Sequence, residues 1–129
     1  MKSHSDGQAL AELALVLPIL IVVVLGTAEF LRLQYDRTLL IIAARNAVRA
    51  ATIELAANDA AQREVRKVLE ANGERNLDSL RVHLDRWLGI HTLTVTYDAE
   101  VSPAVQYFMG SKVRLEAKAH MSRAMFAWY

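Results

Sequence analysis

Between Leu13 and Ala28 the chain runs for 16 residues without a charge, and no other stretch limits its fold so strongly. The segment Ile19-Leu20-Ile21-Val22-Val23-Val24-Leu25 would be apolar on every side of a helix. A soluble domain built from the remainder of a 129-residue chain has too little surface to cover it. As a helix the uncharged run measures about 24 Å, whereas a bilayer core is roughly 30 Å thick. A full crossing must therefore begin near Gln8, which draws Glu12 about 6 Å into the helix. A carboxylate at membrane depth is costly and marks a functional position. We expect a transmembrane helix over residues 8–28, with Glu12 as its special acid. Pro18 removes the hydrogen bond to Ala14 and favours a kink, which neighbouring helices can re-satisfy, and Gly26 permits close helix packing.

Two simpler readings use the same run. In one, the helix is a plain anchor and Glu12 snorkels to the interface. In the other, Gly26-Thr27-Ala28 is a signal-peptide cleavage site that releases a secreted domain beginning at Glu29. Against release, an acidic residue interrupts the charged-to-apolar transition and the helical pattern continues through the site. Lys2 ahead of the span is balanced by Arg32 and Arg37 behind it, so flanking charge gives little direction to the topology.

A short polar leader, Gly7, and a glutamate five residues later ahead of an apolar helix resemble the processing pattern of type IV pilin-like precursors. Over about the first 50 residues the resemblance sharpens to the TadE-like family of the tight adherence (Tad/Flp) pilus machinery. It is carried by Gly7-Gln8-Ala9, Glu12, Leu15-Val16-Leu17-Pro18, Gly26 with Glu29-Phe30, and Ala43-Ala44-Arg45 with Arg49-Ala50-Ala51. The resemblance implies cleavage between Gly7 and Gln8 by a prepilin peptidase, with residues 1–7 as leader. Gln8 would then bear a free amine, cationic at neutral pH. That amine could pair with Glu12 of a neighbouring subunit staggered by about four residues, or roughly 6 Å, and so select one axial register. The implied partners are the peptidase, other pilin-like subunits of a Tad pilus, the inner-membrane assembly platform and membrane lipids. The implied place is the bacterial cytoplasmic membrane, single-pass, with the C-terminal domain extracytoplasmic. The implied role is a minor subunit or assembly protein, a priming or tip complex among its settings. An unprocessed single-pass adaptor of a secretion or pilus machine is the alternative.

Past Ala28 charge appears while helical periodicity continues. Tyr35, Leu39, Ile42, Ala43, Ala47, Ala50 and Ile53 recur at three and four, and no glycine or proline occurs from Thr27 to Asn72. A helical stem is therefore expected over residues 29–57, with Arg32 and Asp36 as an i,i+4 pair. Arg45 and Arg49 share one face, either simply solvated or touching lipid phosphates or an acidic partner.

Residues 58–129 are expected to form a small α+β domain. Asp59-Ala60-Ala61-Gln62 reads as a capping box opening a second helix that Gly73 closes. A third helix is expected from Asn76 or Asp78, with Leu77, Leu80, Leu84, Trp87 and Leu88 on one face and Gly89 as its stop. The period then changes to two. Leu93, Val95 and Tyr97 alternate with threonines as a strand, Ser102-Pro103 to Gly110 reads as a short capped helix, and Val113 to Met121 alternate as another strand. The C-terminal Phe126, Trp128 and Tyr129 either tuck onto the core or form a partner or membrane-interface contact. The fold class expected is α+β and pilin-like. A long transmembrane helix continues as a stem carrying short helices and a two- or three-stranded antiparallel sheet.

Nothing in the chain points to catalysis. The serines lack a nucleophile-elbow context, the glycines are isolated rather than gathered into a phosphate loop, and the carboxylates lack calcium-loop spacing. His83 and Asp85 stand two apart on an expected helix, where their side chains diverge. The four histidines have no ligand-type spacing and no cysteine accompanies them, so neither a metal nor a cofactor is expected. A formal charge of +1 offers no basic surface for nucleic acid, and no small-molecule substrate is indicated.

Overall fold

The computed structural model describes residues 3–53, 57–73 and 76–122. Helix α1 spans Ser3–Ile53, unbroken through Pro18. Helix α2 spans Ala57–Ala71, strand β1 Arg81–Trp87, strand β2 Ile90–Glu100, helix α3 Gln106–Met109 and strand β3 Lys112–Ser122. The strands form one antiparallel sheet in the order β1-β2-β3. The architecture is α+β, a long apolar N-terminal helix followed by a compact cap, as the sequence leads one to expect.

The second half of α1 and all of α2 cover one face of the sheet, α1 over β2 and β3 and α2 against β1. Alanines dominate the helix pair: Ala43, Ala44, Ala47 and Ala51 of α1 meet Ala57 and Ala61 of α2, all buried. Their small side chains let the backbones approach closely, and Leu40, Val48, Val65 and Leu69 fill the space that remains. From the sheet side Leu93, Val95 and Tyr97 of β2 and Leu115, Ala117 and Ala119 of β3 complete the core. The opposite sheet face is polar and paired across the register, with Thr92 Oγ1 and His120 Nδ1 2.9 Å apart and Arg114 Nε donating to Asp98 Oδ1 at 3.0 Å.

Several expectations need correction. The third helix is instead strand β1 followed by a tight hairpin. Leu88 (φ 48°) and Gly89 (φ 79°) both have positive φ, the signature of the mirror-image turns whose twist matches a hairpin. Trp87 and Leu88, assigned to a buried helical face, are 76% and 83% exposed. On β1 the positions one apart from each other alternate, so Val82 and Leu84 turn to the core while Arg81, His83 and Asp85 turn outward. His83 and Asp85, divergent on a helix, share a strand face and their Nε2 and Oδ1 lie 3.3 Å apart.

The stem stripe is also rotated. Leu39, Ala43 and Ala47 are buried as expected, but Tyr35, Ile42 and Ile53 are exposed, and Leu40, Ala44, Val48 and Ala51 take their place. Helix α1 is assigned to Ile53, and α2 has already begun at Ala57, which puts Asp59 in its first turn rather than at its cap. At its far end Gly73 (φ 131°) follows the last turn, and the Asn72 side-chain amide donates to Val68 O at 2.8 Å. Helix α3 is shorter than anticipated. Val105 occupies the cap position without a side-chain bond, and the Val105 and Gln106 amides bond to the Ser102 carbonyl. Gly110 (φ 78°) does end it.

Candidate functional site

Two regions of α1 hold the chemistry that distinguishes it from a plain apolar rod. The first is its N-terminal part. Gly7 lies within the helix, where a Cβ would meet nothing within 4 Å. One turn on, the Gln8 side-chain amide donates to Glu12 Oε1 at 3.3 Å, an i,i+4 bond on an exposed face. The acid therefore has a neutral partner inside its own chain. Among the described residues nothing of the cap covers the most apolar window of this helix, which is long and apolar enough to cross a membrane.

The second region is where the apolar run ends. Glu29 is the first charged residue after it and is only 6% exposed. Its Oε1 accepts the Ser102 backbone N–H at 3.0 Å and lies 3.0 Å from Arg32 Nη2, one turn further on. Arg32 Nη2 also donates to the Glu100 carbonyl. Glu29 and Arg32 thus bind both residues flanking Val101, where β2 ends, and clasp the sheet to the stem. Arg32 reaches back to Glu29 for an ion pair one turn before it. A cleft of about 390 Å³ opens beside the clasp, lined by Arg32, Tyr35, Asp36, Asn72, Gly73, Asn76, Tyr97 and Glu100.

The other sites anticipated from sequence lie apart from these two. Pro18 is exposed, and a Cβ added at Gly26 would meet nothing within 4 Å among the described residues. Arg45 and Arg49 are exposed on the outer face of the stem. Phe126, Trp128 and Tyr129 lie outside the described residues. On the sheet's polar face the Arg114 guanidinium is held above its ordinary pKa by its hydrogen bond to Asp98 and then by that carboxylate's charge. An arginine is protonated at any physiological pH regardless, so the pair adds no switch. Among the described residues no group of three or more His, Cys, Asp or Glu side chains converges as a metal site would require.

The clasp escaped the sequence reading because its two sides are 73 residues apart. The available signal was local: a glutamate and an arginine three apart immediately after an uncharged run, a pair that can close on one helix face.

Fold and site together define an α+β cap built around the outer half of one candidate membrane-spanning helix. Residues 7–49, about a third of the 129-residue chain, match the family described as TadE-like protein. The match covers both the Gln8–Glu12 segment and the clasp residues Glu29 and Arg32, and it suggests a pilin-like protein associated with a Tad pilus. No curated relative and no solved structure matches the chain.

Proposed function

We propose that the chain is a pilin-like minor subunit or assembly protein of a Tad-type pilus. It acts by packing its membrane helix against those of sister subunits, in a priming or tip complex. The observation that carries this reading is that the TadE-like segment contains an 18-residue apolar window of α1 that the described residues of the cap leave uncovered. A helix of that kind has lipid or other helices as its surroundings, and an acid inside it gains from a cationic partner. In this reading a prepilin peptidase cuts between Gly7 and Gln8 at the inner membrane. The new amine of one subunit meets Glu12 of the next, and the Gln8–Glu12 bond within one chain is exchanged for a stronger one between chains. Pro18 and Gly26 belong to the same uncovered surface and shape the helix contacts. The cap stands outside the membrane, where Arg45 and Arg49 are available to partners, and the assembly platform holds the stem.

Intact mass of the membrane-extracted protein tests the first step: a mature chain beginning at Gln8 is expected, and any other N-terminus overturns processing. Glu12→Ala tests the second. Insertion should be unchanged and co-purification of sister subunits lost, and normal piliation would remove the role given to the carboxylate.

One observation favours a second reading, an unprocessed single-pass adaptor. Helix α1 begins at Ser3, so the Gly7–Gln8 peptide lies within regular helix rather than in the extended backbone proteases prefer. An uncut leader together with a dispensable Glu12 would establish that alternative.

A further inference from the structure

The connection between β2 and β3 exposes three large side chains in a row: Tyr107 (93%), Phe108 (67%) and Met109 (40%). The Tyr107 and Phe108 rings meet edge to face, 5.4 Å between centroids at 87°, and form a small aromatic knob that the cap leaves bare. Its position is fixed by hydrogen bonds. The Gln106 side chain donates to Val101 O at 2.9 Å and its backbone N–H to Ser102 O at 3.2 Å. Ser102 in turn donates to Glu29. The knob is therefore tied to the level of Glu29, the residue directly after the uncharged run.

If residues 8–28 cross the roughly 30 Å hydrocarbon core, Glu29 stands at its edge and α3 falls within a headgroup layer of roughly 5–8 Å. The stem shows Phe30 and Leu31 to the surroundings at the same level. A second exposed apolar cluster, Trp87, Leu88 and Ile90, lies at the opposite end of β2, about 30 Å away along the strand. Thr52 Oγ1, 3.9 Å from Met121 Sδ, marks that far end. We infer that Tyr107, Phe108 and Met109 form a foot that rests in the phospholipid headgroup–acyl boundary, where an aromatic ring with a polar edge is most favourable. With the span as one attachment and this foot as another, the cap has a fixed tilt and azimuth on the membrane. The inference rests on the membrane-span part of the proposed function.

The chain has no cysteine, so Phe108→Cys introduces a single thiol for a nitroxide label in the full-length protein. In nanodiscs of phosphatidylethanolamine and phosphatidylglycerol, collision with oxygen and with a water-soluble nickel chelate reports depth. Val22→Cys serves as the bilayer control and Leu88→Cys as the aqueous one. The expected result is an oxygen-to-nickel accessibility ratio at position 108 several-fold above that at 88 and below that at 22, repeated with Tyr107→Cys, which leaves Phe108 intact. A ratio at 108 equal to that at 88, with 22 still deep, overturns the foot and leaves the span standing. Protection from both reagents means a protein surface covers α3, which also overturns it. A water-like ratio at position 22 removes the span, and the foot with it.

Discussion

Glu29 takes on two tasks that pull in different directions. As a charge it closes the apolar run, yet as a side chain it is buried under the cap, which is tolerable because Arg32 and the Ser102 amide both satisfy it. Removing one partner of such an arrangement leaves the others exposed to the full desolvation penalty. Glu29→Ala should therefore lower cap stability by about 2 kcal/mol, measured by reversible denaturation of the full chain in micelles. Glu29→Gln, which can still accept the Ser102 N–H, should lose about half as much. From the sequence Glu29 is legible as the first charge after the apolar run and as part of the Gly26 with Glu29-Phe30 pattern that carries the family resemblance. The acid was visible, and the amide it binds was not, because a contact spanning 73 residues leaves no periodic trace. Glu12 presents the reverse case. Membrane cost alone singles it out in the sequence, whereas the partner proposed for it belongs to another chain.

At the scale of elements, β2 and β3 were legible because their alternation is clean and only one face is buried. Strand β1 was not. Leu77, Leu80, Leu84, Trp87 and Leu88 keep helical spacing by coincidence, and they hid the alternation of Val82 and Leu84 with the outward His83 and Asp85. Cross-strand pairing to β2 over seven residues and the turn at Leu88-Gly89 decided the outcome. Gly89 occupies a left-handed conformation that costs a residue with a Cβ about 1–2 kcal/mol. Gly89→Ala should accordingly destabilise the cap by about that amount, even though the added methyl meets no neighbour. The helix pair offers an opposite test. Ala47 is fully buried in the α1–α2–sheet core, so Ala47→Leu overpacks it and should cost about 1–3 kcal/mol, read as a lowered melting temperature. Leu69→Ala at the far side of the same core should cost about 2–5 kcal/mol through the cavity it leaves.

For the whole molecule, the second half of α1 shares one core with the sheet: Leu40, Ala44 and Val48 of α1 are as deeply buried as anything in the sheet. Amide exchange should therefore show the α1 segment after Asp36 opening together with α2 and β2, and Leu40→Ala should accelerate all three alike. If α1 stayed protected while the sheet exchanged, the single-core picture would fail. The organisation also has a mechanical side. Strands β2 and β3 run along α1, bonded to it at the end of the apolar run by Glu29 and Arg32 and touching it near the far end at Thr52. A pull on the membrane segment along the helix axis therefore loads the clasp and the helix–sheet interface in shear, with many contacts strained at once. Such a joint yields at far greater force than one peeled open contact by contact, so a machine hauling on the span would move the cap with it before unfolding it.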